Sequence, residues 1–387
     1  MEIQLITSTT VGIVSTLVLI EGLVLFFSEN SRSEKFFCFP PAMFWIYFLP
    51  MLASNFQILP REASLYSSIT TGFLPAAIIL LLISSDLKTV LKLGRPALIM
   101  MATAIVGIMG GALLVMTIFK PWLPSESWAG FGVLSASWIG GSVNMIAVKE
   151  AIGAPDRIFF PMIVVDTIVS YSWMGFLLLG PAIQHVYDRW NCSDRGMIEE
   201  LEGKELSAAF ISKYVSFKHL PAILAIGFGG AWISNAFTHH FAGGAFIWTV
   251  IFASTIGIVL SFTSVKKLAT QGAPRLGYLL LYFVLTSIGA RADLSGIFSA
   301  PVLLLAGFVW ILFHGAFMLI VARITRIPLG LAATASQASI GGAVSAPVVG
   351  AAYEPLLAPV GLLLGIFGNV IGTYLGFLTS LLCKWIS

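Results

Sequence analysis

Two short segments of the chain share a glycine-centred pattern that could bind a small solute. One reads Ile-Gly-Gly-Ser-Val-Asn from Ile139 to Asn144, and the other reads Ile-Gly-Gly-Ala-Val-Ser from Ile340 to Ser345. Glycine lets a helix break because it has no Cβ to clash. A break frees backbone N–H groups, which suit a carboxylate, and carbonyl groups, which suit a cation. The pattern therefore predicts one binding site built from both segments.

The predicted substrate contacts are the glycines of the two breaks and the small polar side chains around them. They are Gly140, Gly141, Ser142, Asn144, Ser336, Gln337, Ser339, Gly341, Gly342 and Ser345. Their side chains are neutral, which favours an amino acid, a small peptide or an organic acid over a multiply charged anion. The alternative is that small residues merely let membrane helices pack closely. Two matched copies favour binding.

Asp166 is the predicted residue for ion coupling. It lies within the apolar stretch 158–184, and a carboxylate at the centre of a membrane helix costs about 2.5–3.5 kcal/mol on insertion scales. Such a residue usually faces a cavity and has a function, although a hydrogen bond between helices is the structural alternative. Asn369 holds the matching position in the second half. We expect both residues, with Asn144 and Thr334, to form a site for Na⁺ or H⁺.

Several other polar residues have less certain roles. Glu21 could be a second ion ligand and His314 a proton relay, and the sequence leaves both open against a packing role. Asp86 and Asp293 begin matched turns, where helix capping is expected. Ser142 after two glycines suggests a nucleophile, but His314 is the only imidazole in a predicted span and nothing in the sequence places it near. We therefore predict that the protein is not an enzyme and has no catalytic residues.

The composition indicates an integral membrane protein. Of 387 residues, 58% are hydrophobic and 10% are charged, with a mean hydropathy of +0.94, whereas a soluble domain has about 25% charged residues. The net charge of +3 is too small to indicate a nucleic-acid partner. The three cysteines are far apart and fit no metal or redox spacing. We expect no cofactor and no metal other than a possible Na⁺.

Ten apolar stretches approach the length of about 20 residues that a spanning helix needs. They are 11–27, 36–54, 67–84, 97–119, 158–184, 220–237, 243–262, 276–290, 300–322 and 356–382. The two glycine-broken segments, 129–153 and 329–353, either cross the membrane or enter and return as hairpins. The second choice, with the N-terminus outside, puts most of the 21 lysines and arginines in cytoplasmic loops, as membrane proteins prefer. We therefore predict re-entrant hairpins.

This topology predicts two repeats of opposite orientation. Residues 1–184 form the first, with five spans and a hairpin, and residues 218–387 form the second with the same content. The charged stretch 185–217 connects them in the cytoplasm, and both termini lie outside a plasma (inner) membrane. The predicted fold class is thus all-α, with about ten transmembrane helices and two hairpins in inverted repeats.

At these residues the chain resembles the YjcL-like family of uncharacterised polytopic membrane proteins. The segments 138–144 and 336–349 carry the likeness. More distantly it is similar to the sodium–glutamate and sodium–citrate symporters, which show Gly-Gly-X-Gly at their re-entrant tips. Here the fourth position is Val143 in one copy and Val344 in the other, so the helix break is kept while the substrate is left open.

The resemblance implies an elevator mechanism, in which a mobile core carries the site past a fixed scaffold, usually in a homodimer. By repeat position the core would be 67–184 plus 276–382, and the scaffold 11–54 plus 220–262.

Paired interrupted hydrophobic segments in matching halves point to the site of a secondary transporter. We therefore predict ion-coupled transport of a small polar or carboxylate-bearing solute across a lipid bilayer. An ion or solute channel and, less favoured, an intramembrane hydrolase are the alternatives. A channel would need a continuous polar pore, whereas the polar residues here concentrate at two points.

Overall fold

The structure is a computed structural model that describes residues 9–28, 42–85, 87–194, 196, 214–238, 240, 245–292 and 300–387. Its principal helices are α1 (Thr10–Ser28), α2 (Ala42–Asn55), α3 (Ser64–Leu82), α4 (Arg95–Phe119), α5 (Ser127–Gly140), α6 (Ser142–Ile152), α7 (Asp156–Leu177), α8 (Gln184–Asn191), α9 (Leu220–Thr238), α10 (Ala245–Ser261), α11 (Ala273–Arg291), α12 (Ala300–Thr325), α13 (Leu329–Ile340), α14 (Gly342–Tyr353) and α15 (Leu357–Ile386). Short helical turns, mostly 3₁₀, link some of them. Asp86, Asp293 and most of the connector 185–217 lie outside the described residues.

The described elements confirm an all-α membrane protein. Eight of the described helices are long and apolar enough to cross a membrane, or nine if α10 and the 3₁₀ turn Ser264–Gln271, bent by 97°, form one span. The predicted number of about ten stays a prediction, because the described parts of α2 and α10, with 14 and 17 residues, border residues outside the described ranges. The inverted arrangement of two repeats stays a prediction.

Prolines in the first turn begin two of the long helices. Pro96 opens α4 and Pro274 opens α11. The first turn of a helix has N–H groups without intrahelical partners, so proline loses nothing there and its fixed φ favours the helix.

The chain forms two compact units that draw on both halves of the sequence. The first comprises the described parts of Met1–Ser84, Gly153–Ile163 and Ile211–Phe298. The second comprises those of Ser85–Ile152, Val164–Phe210 and Ser299–Ser387. The repeat boundaries predicted at 184 and 218 concern internal symmetry, which these units do not test.

The first unit is built around α3. Glycines of three other helices abut it: a Cβ on Gly227 of α9, Gly257 of α10 or Gly277 of α11 would lie 2.8–3.1 Å from side chains of α3. Glycine at a helix contact lets backbones approach closely, which is how membrane helices gain dispersion energy without a hydrophobic driving force. The contact points on α3 fall within its last two turns, at Leu80, Leu81 and Leu82.

This packing corrects the division implied by the family resemblance. That division placed 67–84 and 276–290 in the mobile core with the hairpins. Both stretches, now α3 and α11, belong instead to the compact unit that contains α1, α2, α9 and α10. The physical reason is the glycine contact between α11 and α3, which sequence position cannot reveal.

The first glycine-broken segment, in the second unit, folds back on itself. A Cβ on Gly376 of α15 would lie 2.5 Å from Ala136 of α5 and 3.1 Å from Val148 of α6. In one straight helix, residues so far apart in sequence would be separated by about 18 Å. Helices α5 and α6 therefore form a hairpin, hereafter hairpin 1.

The second broken segment does the same. A Cβ on Gly361 of α15 would lie 2.8 Å from the backbone of Ala346 in α14 and 3.0 Å from the methyl group of Thr334 in α13. Helices α13 and α14 thus form hairpin 2. Both hairpins use α15 as a common support.

Helix α5 runs antiparallel to the second part of α15 through small residues spaced four apart. Gly372 faces Gly140, and Gly376 faces Ala136. One turn further, a Cβ on Gly132 would lie 2.8 Å from the Cα of Ser380. The small-xxx-small pattern on both helices explains the close approach.

Helix α14 packs on the first part of α15 in the same antiparallel way. A Cβ on Gly350 would lie 2.6 Å from the carbonyl oxygen of Leu357, and Gly361 faces Ala346. Because hairpin 2 covers the beginning of α15 and hairpin 1 its end, the two tips meet near the middle of this helix.

Candidate functional site

The tips of both hairpins lie at one level of α15. A Cβ on Gly365 would lie 2.7 Å from the carbonyl carbon of Gly342, at the tip of hairpin 2. A Cβ on Gly368 would contact the carbonyl oxygen of Ile139, just before the tip of hairpin 1. Three helical residues correspond to a rise of about 4.5 Å. The two breaks are therefore neighbours in space, although about 200 residues separate them in the sequence.

The two glycines of each motif have different tasks. Gly141 and Gly342, the second glycine in each pair, have φ values of +79° and +68°. Side chains other than glycine and asparagine seldom adopt this conformation. The first glycines supply space instead, since a Cβ on Gly140 would lie 2.6 Å from the carbonyl oxygen of Gly368 and one on Gly341 would contact Gln337 and Ser345.

Asn144, predicted as both a substrate contact and an ion ligand, ties hairpin 1 to α15. Its Nδ2 donates to the carbonyl oxygens of Gly140 and Asn369, the latter at 3.1 Å. Its Oδ1 accepts from the hydroxyl of Thr373. The side chain is 2% exposed. These bonds use both N–H groups of the amide and one lone pair of its oxygen, so Asn144 holds the tip in place in this conformation.

Two polar side chains beside this tip remain open. Ser142 and Asn369 are both partly exposed, and neither side chain hydrogen-bonds another described residue. The Oδ1 of Asn369 would lie 3.4 Å from a Cβ on Gly141, which places it beside the break. These side chains, with the backbone N–H groups of Ser142 and Val143 in the first turn of α6, are the ones available to a solute.

Gln337 presents an unsatisfied acceptor at hairpin 2. Its Nε2 donates to the Oγ of Ser345 across the break at 2.8 Å, while its Oε1 is buried without a partner among the described residues. A buried carbonyl that lacks a hydrogen bond costs about 1–3 kcal/mol. A bound cation or an N–H donor of a solute would remove that cost.

The remaining predicted contacts on hairpin 2 are engaged in packing. The hydroxyl of Thr334 donates to the carbonyl oxygen of Gly330 at 2.7 Å, and that of Ser339 points at the sulfur of Met101 at 3.5 Å. Ser336 is contacted by Trp173, whose Nε1 donates to its Oγ at 3.0 Å. All three side chains are buried.

Asp166 lies beside hairpin 1. The hydroxyl of Ser137 donates to its Oδ2 at 3.0 Å, and that of Ser170 contacts its Oδ1 at 3.4 Å. Ser137 lies one turn before the break at Gly141. Asp166 is partly exposed, so its carboxylate can accept a further cation or proton. No hydrogen bond joins it to Asn369, and the ion site predicted from Asp166, Asn369, Asn144 and Thr334 stays a prediction.

Sequence reasoning missed Ser137, Ser170 and Thr373. Ser137 and Ser170 each lie four residues from a residue that was singled out, Gly141 and Asp166 respectively. One helical turn brings such positions to the same face, so helical spacing could have identified them. Thr373 contacts Asn144 only because α15 packs on hairpin 1, which no local signal indicates.

The two residues left open by the sequence have different surroundings. Glu21 in α1 of the first unit is 4% exposed, and its Oε1 is buried without a partner among the described residues. His314 in α12 of the second unit lies 2.9 Å, through Nε2, from the Oγ of Ser336. No described carboxylate hydrogen-bonds His314.

The described part of the chain contains no group of three or more His, Cys, Asp or Glu residues that could hold a metal ion. The oxygen atoms around Asp166, Asn369 and Gln337 are hard ligands of the type that alkali and alkaline-earth cations accept.

The fold and the paired hairpins define a multi-pass integral membrane protein with a polar site buried among its helices. Residues 15–385 match the family described as "Protein of unknown function (DUF819)", and the chain belongs to that family. It is 26% identical over 341 residues to the "Uncharacterized membrane protein YjcL" of Bacillus subtilis (strain 168), covering 84% of this chain and 85% of that relative. The YjcL-like resemblance is thereby confirmed.

Proposed function

We propose that this protein is a secondary active transporter for a small polar or carboxylate-bearing solute. The observation that carries the proposal is the meeting of two glycine-broken hairpins at the middle of α15. Irregular backbone at membrane depth is tolerated where it is buried in protein or lines a watery cavity. Broken helices that converge on one point are a typical construction of transporter sites.

The open groups at the tips support the choice of solute. Ser142, Asn369 and the Oε1 of Gln337 are neutral, and the first turn of α6, at Ser142 and Val143, offers N–H donors to a carboxylate. An amino acid, a small peptide or an organic acid presents the matching groups. A solute with an ammonium group would also satisfy Gln337.

Coupling to Na⁺ or H⁺ is proposed for Asp166. Its two oxygens contact hydroxyl groups of Ser137 and Ser170, which are also suitable ligands for Na⁺. Because Ser137 belongs to the helix that ends at Gly141, cation binding at Asp166 would bear directly on the position of hairpin 1. This contact is the physical basis for coupling between the ion and the solute.

The same proposal includes an elevator mechanism and the distant likeness to sodium–glutamate and sodium–citrate symporters. It also includes a homodimer and a plasma-membrane location with both termini outside. An elevator requires two bodies that are packed separately, and the chain has two compact units. All elements of the hairpin site fall within the second unit, so this unit would be the mobile one.

One contact favours an intramembrane hydrolase as a second candidate. The Ser336–His314 pair has the hydrogen bond of a nucleophile and its general base. One further contact counts against a nucleophilic role of Ser336, because the N–H of Trp173 donates to the same serine oxygen. Labelling by a fluorophosphonate probe that is lost in Ser336→Ala would establish the hydrolase, whereas absence of labelling in active protein would reject it.

The transport proposal is tested with purified protein in liposomes on a solid-supported membrane. Concentration jumps of L-glutamate, citrate, L-alanine or a dipeptide are applied with and without Na⁺ and across a pH step. The expected result is a transient current for one solute class that requires Na⁺ or changes with pH. Unsaturable currents that need no solute would instead indicate a channel.

A further inference from the structure

A cavity lies in the second unit, away from the hairpin tips. It has a volume of about 270 Å³ and is enclosed by the end of α7, by α12, and by the arm α13 of hairpin 2. Its walls are almost entirely apolar, with Phe176, Leu179, Ile183 and Leu319 among them. Its size is near the lower end of ligand pockets, about 300 Å³, which suits a single hydrocarbon chain.

The exposed rim of the cavity is apolar, as expected of a surface that faces the hydrocarbon region. Leu179, Ile183 and Phe176 are 59–70% exposed and Leu319 is 44% exposed, and they follow or belong to helices long enough to span the membrane. Large apolar side chains exposed at such positions face lipid chains. The natural occupant of this opening is therefore apolar and comes from the bilayer.

A tyrosine hydroxyl lies at one end of the cavity, and an arginine lies beyond the cavity lining on the same side. Tyr187 of α8 lines the cavity, and its hydroxyl is buried without a partner among the described residues. The ring of Tyr187 lies 5.8 Å from that of Trp190, and the guanidinium of Arg323 lies 4.4 Å above the Trp190 ring. Arg323 also donates to the carbonyl oxygen of Trp190 at 3.0 Å. The Tyr187 hydroxyl thus lies at the cavity, and the guanidinium of Arg323 is linked to it through Trp190, outside the cavity lining.

The guanidinium of Arg323 contacts the ring and carbonyl oxygen of Trp190 and forms no ion pair with a described carboxylate. Arg326 lies three residues after Arg323, and Arg189 adjoins Trp190; both arginines are exposed, and none of the three forms an ion pair in the described ranges. Asp188 keeps its charge but is held by neutral donors, because its Oδ1 accepts from the N–H of Leu329 at 2.9 Å and from Ser193 at 3.0 Å. Asp194 accepts from the N–H of Gly196.

We propose that this cavity binds one acyl chain of an anionic phospholipid, whose phosphate is held by Arg323 and the hydroxyl of Tyr187. Arginine near a helix end at the membrane surface is a common ligand of lipid phosphate. Because α13 forms one wall of the cavity, through Ala332, Ala333 and Ser336, the bound acyl chain would stabilise this first helix of hairpin 2. This inference does not depend on the transport proposal.

The test compares lipids in detergent-solubilised full-length protein. Phosphatidylglycerol and phosphatidylcholine with identical acyl chains are added, and the unfolding temperature is measured, with inorganic phosphate as the arm for a free anion. Phosphatidylglycerol is expected to raise the unfolding temperature by several degrees, phosphatidylcholine by much less, and phosphate not at all. Equal shifts with both lipids, or a full shift with phosphate alone, would overturn the proposal.

Variants locate the effect. Arg323→Gln should lose the preference for phosphatidylglycerol, and Leu319→Trp, which narrows the opening, should lose the shift with either lipid. The matched controls are Arg95→Gln, another exposed arginine of the same unit, and Leu381→Trp, another exposed leucine. A preference that survives in Arg323→Gln contradicts the site.

Native mass spectrometry of the wild-type protein tests the lipid site without any substitution. Phosphatidylglycerol and phosphatidylcholine compete in equal amounts for the released protein. One retained phosphatidylglycerol at several-fold excess over phosphatidylcholine is expected. Equal retention, or retention of neither, rejects the site.

Discussion

Gly140 and Gly372 face each other where hairpin 1 crosses α15, so closely that a Cβ on Gly372 would lie 2.7 Å from the Cα of Gly140. Asn144 lies at the same contact, because its Nδ2 would be 2.9 Å from that Cβ. The tip of the hairpin is thus set by backbone against backbone and not by long side chains. Such a contact fixes the position of the tip without filling the space in front of it.

Substitution of Gly372 by leucine should displace hairpin 1. Overpacking of a tight helix contact costs about 1–3 kcal/mol, occasionally more, so we expect a lower unfolding temperature and loss of solute-dependent current. Gly175→Leu is the matched control, since a Cβ at Gly175 meets nothing within 4 Å. If Gly372→Leu behaves like Gly175→Leu, the contact between α5 and α15 does not set the site.

Substitutions of Gly342 distinguish the effect of backbone conformation from the effect of steric space. No atom lies within 4 Å of a Cβ at this position, yet its φ is +68°. Asparagine tolerates this conformation far better than valine. Gly342→Asn is therefore expected to retain most activity and stability, while Gly342→Val should lose about 1–2 kcal/mol and most transport. Equal tolerance of both changes, measured by thermal unfolding and current, would mean that the break does not need a left-handed residue.

Asp166→Asn should keep the fold but lose ion dependence. Asparagine preserves an acceptor for Ser137 while removing the charge that would bind Na⁺ or H⁺. We expect the solute current to become independent of Na⁺ and pH, or to fall at least tenfold. Glu62→Gln, at an exposed carboxylate, is the control and should retain coupling. Wild-type coupling in Asp166→Asn removes this residue from the ion site.

Gln337→Met tests the unpaired acceptor at hairpin 2. The change removes the buried Oε1, whose cost is about 1–3 kcal/mol, and also the hydrogen bond to Ser345, worth about 1 kcal/mol. The solute-free protein should therefore unfold at nearly the same temperature or slightly higher. The stabilisation by added solute should disappear, as thermal unfolding with and without solute would reveal. A large loss of stability without solute would show that Gln337 is structural.

Cysteine labelling tests the predicted orientation. In cells, a cysteine introduced at Lys204 should react only with permeant reagents, because the connector 185–217 is predicted to be cytoplasmic. A cysteine at Lys120 should react with impermeant reagents from outside, in a background without the three native cysteines. The reverse pattern would invert the topology while leaving the hairpin site unchanged.

Local sequence signals were sufficient for part of the site and insufficient for the rest. The breaks at Gly141 and Gly342 follow from glycine itself, and both are present where the motifs predicted them. Asn144 and Ser336 were equally plausible as ligands. In the structure Asn144 hydrogen-bonds Thr373 and Ser336 hydrogen-bonds Trp173, and their roles as ligands stay predictions. Whether a polar side chain is free depends on a partner that is distant in the chain.

The assignment of helices to bundles shows the same limit. Repeat position placed α3 and α11 with the hairpins, whereas the close approach of Gly277 to α3 groups both with α1, α2, α9 and α10.

Composition, hydrophobic length and the two glycine motifs by themselves determined that this is an all-helical membrane protein with two interrupted segments, because these properties act within one helix at a time. Only the tertiary structure decided that both interruptions meet on α15, and that Ser142, Asn369 and Gln337 keep unpaired polar groups there. The physical reason is that a meeting point depends on the register between helices. Small residues such as Gly365 and Gly368 permit that register, but the sequence does not indicate which helix packs against them.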